Sequence, residues 1–152
     1  MTIYDLITNA LNAVSSGATV HVLDEVRTET ESLDWNGINI IINPEFSSNI
    51  ETTQGAEIIN VTQYKIKFIT IDEWDNPNYN AANHTLSIIE AMKDLMNTVF
   101  WHIIMRPDVY IPSNAAKKWS YKPIYRENNS TMSGVNATFN FPNIDNLICN
   151  YE

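Results

Sequence analysis

Three carboxylates fall within four positions of the stretch "TIDEWDNPNYN", Thr70 to Asn80: Asp72, Glu73 and Asp75. They stand between a strand-like run and a helix-like run. That is a place where enzymes often hold a divalent metal or a general base. With His84 added, the set would suit a small metal-dependent hydrolase. A Mg²⁺ or Ca²⁺ site, however, needs oxygen ligands converging from several directions. No DxDxDG-type loop with a Glu at its twelfth position is present, and no glycine supports a tight ligand loop here. The structural alternative is simpler. Acids just before a helix favour its positive N-terminal end, Asn76, Asn78 and Asn80 suit turns and caps, and Pro77 fixes a bend.

The remaining reactive residue types are scattered. The histidines are His21 in a first strand, His84 at the start of the long helix and His102 near its end. There is no H-E-x-x-H and no His pair at i, i+4, so a metal site built on histidine is not expected. His102 reads as an amphipathic-helix residue. The single cysteine, Cys149, lies beside Ile148 and reads as a small buried hydrophobe. It also excludes a disulfide framework and a cysteine-rich zinc site. No G-x-S-x-G elbow is present, and four glycines in the chain form neither a G-x-G-x-x-G nor a P-loop pattern. No catalytic, cofactor or metal residues are therefore assigned.

Aromatic residues in polar connections carry a different message. Trp35, Trp74, Trp119 and Tyr110 are interface candidates, because exposed aromatics are enriched where proteins meet. The alternative for Trp74 and Trp119 is that they cover the ends of a sheet.

Composition narrows the class. The 152 residues suit one domain, with 44% hydrophobic and 18% charged residues. Asn makes up roughly one residue in eight, above common usage. Five Asn-x-Ser/Thr triplets, at Asn60, Asn83, Asn128, Asn129 and Asn136, are expected by chance at that frequency and are not read as glycosylated. Net charge is −9. A nucleic-acid groove needs clustered Lys and Arg, and Lys117-Lys118 is the one adjacent basic pair. The first residues, "MTIYDLITNALNAVSSG", read as an amphipathic helix and not as a signal peptide. No apolar run approaches ~18 residues, so no membrane span is expected.

The elements that must position these residues follow from periodicity. Ile3, Leu6, Ile7, Ala10, Leu11 and Val14 recur at helical spacing, with Thr2 as N-cap, and predict a helix over 3–15. "ATVHVL" predicts a short strand. "WNGINIIINPEF" predicts a second that ends at Asn43-Pro44. Residues 45–55 read as loop. Tyr64, Ile66 and Phe68 alternate with Lys65 and Lys67, the period of a half-buried strand. Ile88, Met92, Leu95, Met96, Val99, Phe100 and Ile103 predict a long helix that ends at Pro107. "SYKPIYREN" predicts an edge strand because of Pro123. After the turn "NSTMSG", "VNATFNF" predicts its hairpin partner. The order is α-β-β-β-α-β-β. It defines one α+β domain over 1–152, with a mainly antiparallel sheet of about four to five strands and both helices on one face. A long polar hairpin or loop around 26–56 and a short tail over 142–152 complete it.

This order resembles the tail completion and tail terminator proteins of bacteriophages. The features that carry the resemblance run along nearly the whole chain. A short helix, "IYDLITNALNAV", stops at Gly17 and leads into "ATVHVL". A long polar hairpin follows. "YKIKFITIDEWD" runs directly into "NHTLSIIEAMKDLMNTVF", and "SGVNATFNF" closes the sheet. The resemblance implies a virion structural protein without catalysis or cofactor, assembled in the bacterial host as a homo-oligomeric ring of six or twelve. Such a ring sits at the head-proximal end of the tail or in the neck, ends tail growth and meets head, portal or tail proteins. The hairpin between Val26 and Gly55 would reach a neighbour or the lumen, through which DNA would pass without specific binding. The expectations left beside it are the hydrolase at the Asp72 junction and a protein-binding adaptor that forms no ring.

Overall fold

The computed structural model of the protein describes residues 3–14, 16–22, 37–43, 47–52, 58–72, 81–106, 118–126 and 132–143. Two helices and six strands follow in the order α1 (Ile3–Ala13), β1 (Thr19–Val22), β2 (Ile38–Ile42), β3 (Ser47–Thr52), β4 (Ile58–Ile71), α2 (Ala81–Ile104), β5 (Lys118–Ile124) and β6 (Met132–Asn143). The strands make a single sheet in the order β1-β2-β4-β6-β5. All pairings are antiparallel except β1 with β2. The chain is α+β, as its periodicity predicts.

β3 is the departure from the sequence reading, which places a loop over 45–55. β3 pairs with residues 58–63 of β4, while β2 pairs with residues 66–70. The other edge of β4 is taken by β6 along 60–71. β2 and β3 therefore lie end to end on one side of β4, and five positions across the sheet are filled by six segments. The β2 ladder continues through the Asn43 amide, which donates to the Lys65 carbonyl at 3.0 Å. Pairing resumes at Ser47 opposite Gln63. "SSNIET" has one apolar residue, so no alternation announces it, and main-chain pairing alone defines the strand. β6 likewise runs two residues into the expected tail. Pro142 is tolerated because β5 pairs no further along β6 than Asn140.

Alternation assigns the two faces. Tyr64, Ile66 and Phe68 of β4 and Val135, Ala137 and Phe139 of β6 pack against the helices. Leu6, Ile7, Ala10 and Leu11 of α1 close one side of this core. From α2, Met92, Met96, Val99, Phe100 and Ile103 are buried in it. Ile89 is also buried, whereas Ile88 and Leu95, expected on the core stripe, are half-buried at its margin. The centre is aromatic. Phe100 stacks on Phe139 at 4.2 Å and meets the edge of Phe68 at 5.6 Å. On the opposite face Ile41, Ile69, Ile124 and Met132 form a smaller cluster.

Helix ends follow their local chemistry. α1 closes with the Ser16 amide donating to the Leu11 carbonyl, and the Ser16 hydroxyl accepts from the Ala18 amide. α2 ends at Ile104, where the Met105 amide still bonds to the Trp101 carbonyl at 3.0 Å and the Arg106 amide tightens to the Ile103 carbonyl at 3.4 Å. Among the described residues no helix is long and apolar enough to cross a membrane. Gly134 of β6 lies opposite Ile69 of β4. A Cβ there would collide with the Phe68 carbonyl of the neighbouring strand.

Candidate functional site

Asp72 ends β4 in the same phase as Phe68, pointing toward the helices, and it is completely buried. Burying a carboxylate costs several kcal/mol unless hydrogen bonds and an opposite charge compensate. Both are present. Its Oδ2 accepts the Thr85 hydroxyl of α2 at 2.8 Å and the Ser133 hydroxyl of β6 at 2.9 Å. The same oxygen takes the Arg126 Nε–H, just beyond β5, at 3.2 Å. The His84 Nε2 approaches Oδ1 at 3.7 Å from a half-exposed ring. One carboxylate thus joins β4, α2, β5 and β6.

The surrounding backbone is shaped to serve it. Arg126 adopts φ 45°, a left-handed conformation uncommon for a residue with a Cβ. Its amide donates to the Ser133 hydroxyl at 3.2 Å. That hydroxyl donates onward to Asp72. The chain Arg126 N–H to Ser133 O–H to Asp72 is cooperative, since each bond polarises the next.

Of the metal or general-base set that the Asp72, Glu73 and Asp75 spacing suggests, Asp72 and the added His84 lie among the described residues. A general base needs a lone pair open to substrate. Here three donors occupy Oδ2, among them the buried Ser133 hydroxyl, and Oδ1 faces the His84 Nε2. Among the described residues no three His, Cys, Asp or Glu side chains are placed to hold a metal ion. Asp72 bonds to Thr85 near the start of α2. It is held by side chains of α2 and of the β5–β6 hairpin, and it works as a clamp between elements. Glu73 and Asp75 lie outside the described residues.

Ser133, Thr85 and Arg126 are the members that the sequence reading misses. Two carried a signal. Ser133 continues the inward phase of Val135, Ala137 and Phe139, and Thr85 continues that of Ile89, Met92 and Met96. A polar residue in an apolar phase marks a buried partner.

A second polar group lies within strands β1, β2 and β4 near the same end of the sheet. The fully buried Asn39 shares a hydrogen bond with His21 Nε2 at 3.0 Å and donates from Nδ2 to the Gly37 carbonyl at 3.4 Å. The Thr70 hydroxyl donates to the same carbonyl at 3.2 Å. His21 is thus a structural partner of β2. His102 is exposed on α2.

Of the interface candidates, Trp119 is half-buried. It meets Phe100 at 5.7 Å and Phe139 at 6.1 Å, and its Nε1–H donates to Asn97 Oδ1 at 2.9 Å. It extends the aromatic core under α2 from the outer strand β5, opposite Phe139. Trp35, Trp74, Tyr110 and Cys149 lie outside the described residues. Exposed large hydrophobics occur elsewhere: Tyr121 and Tyr125 at the β5 edge, and Trp101 and Met105 near the end of α2.

The fold and its buried clamp define an α+β protein with one sheet, helices on one face and two unlike outer strands. No known family model matches the chain, and no curated protein sequence matches it.

Proposed function

We propose that the protein is a structural component of a bacteriophage virion, a homo-oligomeric ring at the head-proximal end of the tail or in the neck that ends the tail and joins it to head or portal. The observation that carries this reading is the chemistry of the two outer strands. β1 is a short parallel edge, Thr19–Val22, and β5 is an antiparallel edge with Tyr121 exposed and Pro123 near its end. A contact between the β1 edge of one copy and the β5 edge of the next runs head to tail, and it closes a ring where the rotation per subunit divides a full turn. The clamp at Asp72 supports a rigid frame for such a subunit, with its charge consumed internally.

In this reading the protein has no catalytic site and no cofactor. It assembles from copies of itself, six or twelve by resemblance, in the host cytoplasm and then in the virion, with DNA passing through the lumen. The test is the assembly state. Negative-stain images or mass photometry of the purified protein should give closed rings, and the rings should bind tail or portal proteins. A monomer at every concentration, without such binding, refutes the proposal.

A further inference from the structure

We propose that the connection from β1 to β2, residues 23–37, crosses the helix-free face of the sheet and covers the apolar patch there within its own subunit. Its acidic stretch is then an internal strap and not a free arm. The inference holds whether or not the chain forms a ring.

Strand register builds the patch. Asn39 of β2 lies opposite Ile69 of β4, Ile69 opposite Gly134 of β6, and Gly134 opposite Ile124 of β5. Ile41 and Met132 join this row along β2 and β6. Asn39, Ile41, Ile69, Ile124 and Met132 are all buried. They stand out of phase with the core, so neither helix reaches them. Among the described residues no helix or strand lies over this face. Side chains on an uncovered sheet face meet water, as Lys65 does further along β4. Another part of the chain therefore covers the patch. Lys67, opposite Ile41, already has a partner as well.

Handedness selects the cover. β1 and β2 are parallel neighbours, so the chain leaving Val22 must return along the sheet to Gly37 before β2 begins. It can return over either face. β4 and β5 are also parallel, because each is antiparallel to β6, and α2 joins them over the helix face. The steps β1 to β2 and β4 to β5 cross the sheet in the same direction, but β1 and β2 run opposite to β4 and β5. Two such crossovers share one hand only when they pass over opposite faces. Crossovers between parallel strands are right-handed in nearly all proteins. With α2 on one face, residues 23–37 belong on the other.

The other connections fit less well. Residues 73–80 and 107–117 are tied to α2 in the helix layer. The chain after Asn143 starts at the far end of β6, about 35 Å from Met132. By contrast "LDEVRTETESLDWNG", residues 23–37, has the dozen or so residues that a parallel crossover needs. Leu23, Val26, Leu33 and Trp35 offer apolar side chains to fill the patch, and five carboxylates keep the outer side wet.

The experiment is thiol chemistry in a Cys149→Ser background, which removes the native thiol. Lys67→Cys puts one thiol on the helix-free face, and Thr98→Cys puts one on the exposed side of α2 as control. Each is combined with Thr30→Cys or Leu33→Cys and treated with a short bismaleimide at low protein concentration. Intact mass under denaturing conditions should show single chains bridged internally with Lys67→Cys and none with Thr98→Cys. Internal bridges to Thr98→Cys alone, or to neither, overturn the proposal. Bridges that join two chains also overturn it and give the face to a neighbour's segment. A second measurement uses Ile69→Cys in the same background. Its thiol should react with maleimide about tenfold faster or more once residues 26–35 are replaced by Gly and Ser in equal number, with circular dichroism to confirm folding. Unchanged labelling of the folded variant overturns the cover. Where that variant does not fold, the cross-links decide alone.

Discussion

Replacing Asp72 by alanine removes the one acceptor that three donors share, and the structure sets the size of the effect. Thr85 and Ser133 would keep buried hydroxyls without their acceptor, and Arg126 would lose its counter-charge. Breaking a buried ion pair from one side costs about 3–5 kcal/mol. Arg126 is 32% exposed, so water can partly solvate the stranded guanidinium. The expectation is thus the lower end, about 3 kcal/mol, or a fall of roughly 6–12 °C in Tm for a domain of this length. Asp72→Asn keeps an oxygen for the hydroxyls and loses only the charge, so it should cost about 1–2 kcal/mol. Ser133→Ala should fall in the same range, because it breaks the relay from the Arg126 amide. The assay is urea unfolding with linear extrapolation, at several protein concentrations so that assembly does not masquerade as stability. A double-mutant cycle between Asp72→Ala and Ser133→Ala should return a coupling of about 1 kcal/mol. If Asp72→Ala lies within about 0.5 kcal/mol of wild type, the clamp argument is wrong.

Gly134→Ala should destabilise by about 3 kcal/mol or more, since the added carbon meets backbone that cannot rotate away. Gly17→Ala is the control and should be near neutral in the same melts, because no atom lies within 4 Å of the new carbon. Trp119→Ala should cost about 2–3 kcal/mol, below a fully buried aromatic, while Trp119→Phe and Asn97→Ala should each cost about 1 kcal/mol or less in chemical unfolding. Isothermal titration with Mg²⁺, Mn²⁺ and Ca²⁺ should show no binding heat that depends on Asp72, because its Oδ2 is already occupied by three donors. Millimolar binding lost in Asp72→Asn would favour the hydrolase reading.

Much of the frame was legible because burial is one-sided. Lys65 and Lys67 against Tyr64, Ile66 and Phe68 betray a strand with one wet face, and Pro123 betrays an outer strand. The long helix was legible from its stripe, but the stripe is wide. Ile88 and Ile89 compete for its start, and packing chose Ile89. β3 was hidden because "SSNIET" contributes backbone pairing and little apolar area. At the site, spacing drew attention to three acids as a group, whereas folding treats Asp72 as the polar end of a hydrophobic series. Arg126 had no readable signal, because its role comes from a left-handed conformation just beyond β5.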